Sequence, residues 1–438
     1  MIERLRREFN ERYSDAAYRG LLAALERRCG MPIGFRVAET PVFLPQGLLD
    51  ELAETGRELT ERLLGDAGYL AAAEQSIPAG YRVAGESAHP HFMTADFALV
   101  RGEDGELTPR LVELQAFPSV FGYQAVLAEE YRGAYGLGGE RYGELRMYLS
   151  GLDEAGYWEL LRRTIVDGHR PEQVVLTEVD PERQKTLPDF RVTAERLGIA
   201  VVDISRLEPV GRRLAYRDAT GRRVEIRRIY NRAIADEMMA KCVRLPFDLE
   251  ADWEVEWAGH PNWYFRVSKF ALPYLSGTVG GSAMRAHRAV PPAAFLSDFL
   301  DGPGVGPGVG PGYEALRLAG VPLPEHRSPG AVYDELLLKP LFSFAGKGIV
   351  FAPSDAELAA IPAGERWQYL VQQRMRFEPT IETPHGRTQA EIRILYAWPD
   401  DGPMTAAMSL VRLGRGKMMG VDHNREMEWV GASAAFGV

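Results

Sequence analysis

Between Glu335 and Phe351 the chain reads ELLLKPLFSFAGKGIVF. Two apolar runs flank a turn of small residues, and short apolar runs bounded by turn signals suit buried strands. Pro340 has no N–H to give to a ladder, so the chain is expected to leave the sheet there. Ser343, Ala345, Gly346 and Gly348 then let backbone N–H groups approach an anion closely. Lys339 emerges at the end of the first strand and Lys347 from the loop. Two ammonium groups around a glycine turn suit a polyphosphate. The spacing is not GxxxxGK[ST], and a strand rather than a helix follows, so this is not a P-loop. A hairpin with a solvent-facing lysine is the plainer reading of the same residues.

The next apolar segment, WQYLVQQRM (Trp367–Met375), alternates like a strand and is followed by FEPTIE. Main-chain groups there, with Gln372 or Gln373, suit an adenine edge, and Glu378 could accept from a ribose hydroxyl. Far upstream lies HFMTADFALVRGEDGELTPRLVELQAF (His91–Phe117). Asp104-Gly105 is a strong two-residue hairpin signal, and a turn centred there sets Asp96 opposite Glu113. Gln115 shares the face of Glu113 by strand alternation. Two facing carboxylates are unfavourable unless neutralised. Mg²⁺ does this with oxygen ligands, so Asp96, Glu113 and Gln115 are the expected metal residues. Pro109 could bulge the second strand and shift the register. The alternative is an exposed hairpin with ordinary surface acids.

The chain has 438 residues, enough for two or three domains. With 46% hydrophobic and 26% charged residues it has the composition of a globular protein. A net charge of −10 argues against a broad nucleic-acid footprint. Composition alone makes the basic run RLGRGK (Arg412–Lys417) a solvated turn, although locally it could face a phosphate. The charged start MIERLRREFNERY lacks the core of a signal peptide. No segment approaches the roughly 18 uninterrupted apolar residues of a membrane span. Cys29 and Cys242 are too few for a disulfide framework or a CxxC metal site. The expectation is a soluble cytoplasmic protein.

Residues 1–30 and 46–66 read as amphipathic helices, and 121–165 as mostly helical. EQVVLTEV, a connecting helix and IAVVDISRL form a parallel α/β unit. RRLAYRDATGRRVEIRRIYNRA is a hairpin turning at Asp218–Gly221. DGPGVGPGVGPGYE (Asp301–Glu314) excludes regular structure and reads as a surface loop.

Taken together these pieces resemble the ATP-grasp superfamily, in particular the synthetase domain of glutathionylspermidine synthase, a circularly permuted ATP-grasp. Asp96…Glu113-Leu-Gln115 is similar to that family's D…ExN metal motif. RVSKFAL resembles its first nucleotide-lysine segment, placing Lys269 on phosphate. LLLKPLFSFAGKGI resembles its second, placing Lys339, Ser343, Gly346, Lys347 and Gly348 around the nucleotide. LVQQRMRFEP looks like the adenine-hinge strand. IYNRAIADE resembles the segment closing the preceding α/β unit. MSLVRLGRGKMM looks like the late strand whose arginine, here Arg412, faces the transferred phosphate. Gln115 stands where the family has asparagine and Thr94 where it has arginine, and no amidase-like part precedes.

The resemblance implies an α/β (α+β), circularly permuted ATP-grasp fold with a small parallel α/β pre-ATP-grasp unit. Its parts are 1–165 (helices and metal hairpin), 166–250 (the parallel unit), 251–370 (a nucleotide lid) and 371–438 (the rest of the core). It implies an ATP- and Mg²⁺-dependent ligase joining a carboxylate to an amine through an acyl phosphate. A catalytically inactive scaffold and a kinase on the same fold are the alternatives. Glu391 and Arg393 in AEIRILYAW are a structural ion pair or line the phosphate site. Ser119 and Tyr123 are candidates for an acceptor pocket. Asn424 is a turn residue or polar lining, and His89 and His91 read as loop histidines.

Overall fold

The computed structural model describes residues 1–438 apart from 103, 302–309, 344–345, 421–423 and 425. The expected Gly/Pro loop therefore falls largely outside the described residues. In chain order the strands are β1 (Val42–Leu44), β2 (Phe92–Arg101), β3 (Leu107–Gln115), β4 (Val174–Glu178), β5 (Ala200–Asp203), β6 (Glu208–Val210), β7 (Arg213–Arg217), β8 (Arg223–Glu225) and β9 (Arg228–Asn231). They continue as β10 (Glu256–Ala258), β11 (Ala293–Phe295), β12 (Leu336–Pro340), β13 (Val350–Phe351), β14 (Tyr369–Gln373), β15 (Gln389–Ala397), β16 (Thr405–Gly414) and β17 (Gly431–Gly437).

The central sheet has the order β1-β17-β16-β15-β2-β3, so the early hairpin β2–β3 is stitched onto strands from the end of the chain. Alternation divides its residues between two faces. Ala95, Phe97 and Leu99 pack on the back against the helix Gln46–Leu64. That helix comes close to the sheet at Gly56, and the Tyr396 hydroxyl donates to the Ala53 carbonyl at 2.8 Å. On the front, Phe92, Leu395, Ala407 and Ala434 are covered by the helix Phe121–Ala134 and its neighbours. The other end of the front face, with Asp96, Glu113, Glu391, Arg393 and Arg412, extends beyond this cover.

β4 and β5 pair in parallel as expected, and β9, read from the sequence as part of a hairpin, joins them with β10 in the order β10-β9-β4-β5. A third sheet, β11-β14-β12-β13, is antiparallel. Leu336, Leu338 and Val371 on one face pack against the helices Leu296–Leu300 and Pro311–Leu318. Its other face, with Leu337, Lys339, Phe351 and Gln372, turns towards the central sheet. The hairpin β6-β7-β8 is an appendage of the parallel unit.

Two local expectations change. Pro340 stays in the sheet, paired with Tyr369. Since β13 pairs only with Leu337 and Leu338, no N–H is required of Pro340 on that side. In the early hairpin Asp96 does face Glu113, but by another route. The tip closes with Gly102 N–H to the Glu106 carbonyl at 2.8 Å, and Arg101 pairs with Leu107. A bulge at Val112, not at Pro109, then inserts the extra residue that restores the Asp96–Glu113 pair.

A Cβ on Gly56 would collide with the Tyr396 hydroxyl and lie 3.0 Å from Ala95 Cβ. Gly56→Val is therefore expected to cost about 1–3 kcal/mol by overpacking. Urea denaturation, read as a lower midpoint at unchanged slope, checks this.

Candidate functional site

A cavity of about 320 Å³ lies between the front of the central sheet and the β11-β14-β12-β13 sheet. Leu337, Ile349, Phe351 and Met418 give it apolar walls, and Lys339, Arg374, Arg415 and Lys417 line it with positive charge. Arg374 and Lys417 both approach the Phe351 ring, at 5.6 and 6.0 Å from its centroid. RLGRGK is thus no solvated turn at its C-terminal end: Arg415, Gly416 and Lys417 form part of the wall. Asn424, buried, donates to the Met418 carbonyl at 2.9 Å and so shapes that loop.

Lys339 is 4% exposed, and its Nζ donates to Gln372 Oε1 at 2.6 Å. Register explains the contact, because Leu337 pairs with Gln372 and Lys339 lies on the same face. Burial lowers the Lys339 pKa to about 8, with Glu113 and Glu391 opposing and Lys269 assisting the shift. Gln372 Nε2 is buried without a partner. Gln373, one residue on, points by alternation to the face away from the cavity. Glu378 sits at the rim, ion-paired with Arg101 at 2.8 Å.

Lys269 connects two other elements. Its Nζ donates to the Ser343 carbonyl at 2.6 Å and lies 3.8 Å from Glu113. Gly346 and Gly348 adopt φ of +71° and +79°, where an L-residue is strained. A Cβ on Gly346 would also collide with Met418, and one on Gly348 would come within 2.8 Å of Pro340 Cγ. Lys347 is exposed.

The charged centre of the face is built from three adjacent strands. Asp96 on β2 pairs with Arg393 on β15, and Glu391 on β15 pairs with Arg412 on β16. Arg393 grips Asp96 with two bonds, Nε to Oδ1 at 2.5 Å and Nη2 to Oδ2 at 2.6 Å. Arg412 also donates to Asp96 Oδ2 and lies 2.5 Å from Glu391. Burial pushes the Asp96 pKa up, but Arg393 and Arg412 outweigh it, and the carboxyl titrates below its ordinary value. Glu391 goes the other way. Its burial dominates, reinforced by Asp96 and Glu113, and its pKa rises to about 7 despite Arg412.

Arg393 Nη1 further donates to Ser119 Oγ at 3.1 Å. The Ser119 carbonyl in turn accepts from Arg232 at 2.8 Å, and Arg232 is ion-paired with buried Asp189. Asp189 accepts the Tyr123 N–H at 3.0 Å, at the start of the helix Phe121–Ala134. Tyr123 itself lies in the core rather than at the cavity.

The three residues expected to hold magnesium lie on one face, but Asp96 is engaged by arginines. Both Asp96 oxygens are committed to guanidinium groups. Glu113 and Gln115 remain as two half-buried residues on one face. Thr94, opposite Gln115, has a buried hydroxyl without a partner. Elsewhere among the described residues, Asp167, His169 and Glu256 come within 4.8 Å of one another, but Glu256 already accepts from His169 and Arg228. His91 is tied to Asp400 at 3.0 Å, consistent with a structural histidine.

No family model and no curated protein matches the sequence. The structure does have relatives. A glutathione synthetase-like effector from Globodera pallida, solved in its apo form, superimposes with a TM-score of 0.51 at 11% identity, covering 97% of each chain. The fold is glutathione synthetase-like. A protein assigned as gamma-glutamylcysteine synthetase from Methylobacillus flagellatus gives a TM-score of 0.41 at 13% identity, over 87% of this chain and 88% of that one.

Sequence reasoning left Arg393 and Glu391 undecided, although AEIRILYAW placed two charges two residues apart in an apolar strand, hence on one face. It missed Arg374, Phe351 and Met418, which only the approach of two separate sheets brings together.

Removing one partner of a buried charge cluster leaves the others uncompensated. Asp96→Ala is expected to lose about 3–5 kcal/mol of unfolding free energy, measurable by urea titration. For Glu391, the folded pKa of about 7 lies above that of the unfolded chain. The native state then holds the proton more tightly, so its contribution is full at low pH and is lost as pH rises to about 7. Glu391→Gln should flatten stability between pH 5 and 7 by up to about 3 kcal/mol relative to wild type.

Proposed function

We propose that this chain is an ATP-dependent carboxylate–amine ligase built on an ATP-grasp-type core. The observation that carries the reading is a buried lysine and a ring of cations lining a cleft between the central sheet and the β11-β14-β12-β13 sheet, with apolar walls for a base. Arg374 and Lys417 beside Phe351, and the unpaired Gln372 amide, supply donors and a stacking surface for a nucleotide. The synthetase-like fold supports the reaction class. The seating of an early hairpin beside strands from the chain's end supports a permuted core.

In this reading ATP phosphorylates a small-molecule carboxylate, and an amine displaces phosphate from the acyl phosphate. Phosphoryl transfer needs alignment and charge neutralisation more than a protein nucleophile. Lys269 and Lys339 neutralise the inner phosphates. Arg393 and Arg412 face the transferred group and hold the acyl phosphate. In this reading the Gly346–Gly348 loop, with exposed Lys347, folds over the triphosphate and keeps water from the intermediate. Glu113 lies beside Lys269, and Gln115 is on the same face of β3, where the acceptor would enter in this reading. A second reading, a binding protein without turnover, draws on Asp96 being tied up by two arginines. Detecting ADP release with candidate amino acids, peptides and polyamines separates the two.

Lys339 must be charged to hold phosphate, and its pKa of about 8 means that it loses its proton as pH rises through that value. Calorimetry is expected to show ATP affinity falling above pH 8 in wild type but not in Lys339→Arg. Lys339→Ala should weaken ATP about 10- to 100-fold, the worth of one charge-assisted hydrogen bond. Unchanged affinity in that variant would remove Lys339 from the nucleotide site.

A further inference from the structure

We propose that the protein binds the polyphosphate of its nucleotide without a protein-held divalent metal, with Arg393 and Arg412, anchored by Asp96, supplying the neutralising charge. This rests on the reading of the cleft as a nucleotide site.

Three observations carry it. Asp96 is 1% exposed, and its two oxygens accept from Arg393 at 2.5 and 2.6 Å and from Arg412 as well. A metal ion could reach it only by displacing both guanidinium groups from the one carboxylate that compensates them. Charge points the same way. Lys269 and Lys339, which approach this face from other elements, together with Arg393 and Arg412 outnumber Asp96, Glu113 and Glu391, and a divalent cation would enlarge the surplus. Like charges so close in a poorly solvated site repel strongly, whereas a polyanion relieves them.

The third observation is the kind of group left unsatisfied. A vacant metal site presents oxygens in want of a cation, and a vacant anion site presents N–H groups in want of an acceptor. Here the buried atoms without partners include Gln372 Nε2 beside Lys339 and Arg412 Nε in the charged centre. Arg110 Nε, on the same face of β3, is a third. Its pKa is lowered by burial, with no carboxylate acting on it. No oxygen of Asp96 is among the buried unpartnered atoms of the described residues, and the one buried unpartnered oxygen next to this centre is the Thr94 hydroxyl, which is itself able to donate.

The test is calorimetry of the full chain with ATP, and separately with inorganic tripolyphosphate, in excess EDTA and in excess MgCl₂. The expected result is an ATP dissociation constant in EDTA within about threefold of that in magnesium. Arg393→Gln, checked for native circular dichroism, should weaken binding in EDTA by at least about tenfold. ATP binding seen only with magnesium overturns the inference and leaves the nucleotide site standing. Binding in neither condition overturns the nucleotide reading itself. Electron paramagnetic resonance of Mn²⁺ gives a readout independent of nucleotide. Saturable Mn²⁺ binding to the nucleotide-free protein, lost in Asp96→Asn, would show Asp96 to be a metal ligand after all.

Discussion

A single carboxylate, Asp96, holds together three neighbouring strands through two arginines. Buried charges are tolerated only when paired with good geometry and further hydrogen bonds. This cluster meets the condition because Arg393 approaches side-on with two bonds and Arg412 bridges Asp96 and Glu391. The arrangement also pins register. A one-residue slip of β15 against β2 would turn Glu391 and Arg393 to the apolar back face and bring Ile392 and Ile394 forward. The early hairpin and the late strands are thus held in one alignment by electrostatics as well as by their hydrogen-bond ladders.

Around this centre, burial acts in opposite senses on groups of opposite charge. It draws Glu391 and Lys339 towards their neutral forms, while Asp96 keeps its charge because its partners are closest. The result is a face on which Asp96 and its arginines carry fixed charges, while Glu391 and Lys339 are adjustable. Such a face is preorganised for an anion, since its donors are already oriented and little solvent must be removed.

Much of the framework was legible in the sequence because it is local. The parallel unit is a run of short apolar strands separated by a helical connection, and the hairpin carries Asp104-Gly105. Lys339 stood out because the glycine turn follows within a few residues, and it lines the cavity. The Asp96–Glu113 pairing was also legible, but the Val112 bulge that produces it was not, because bulges answer to packing on neighbouring strands. The partners of Asp96 were hidden for a stronger reason. They depend on β2 pairing with β15, a contact between distant parts of the chain that no local pattern announces. Alternation allows only one of the two adjacent glutamines to face the cleft, and Gln372, bonded to Lys339, is that one.

The chain of contacts from Arg393 through Ser119 to Arg232 and Asp189 has a consequence for modularity. The parallel unit and the charged face meet at one serine, whose hydroxyl serves one side and whose carbonyl serves the other. Neither part is therefore a free-standing cassette. A graft that exchanged the parallel unit for that of another protein would have to carry Ser119 and its arginine with it, or the recipient would inherit a misaligned Arg393. The position of Arg393 should accordingly tolerate substitutions within the unit more readily than wholesale exchange of it.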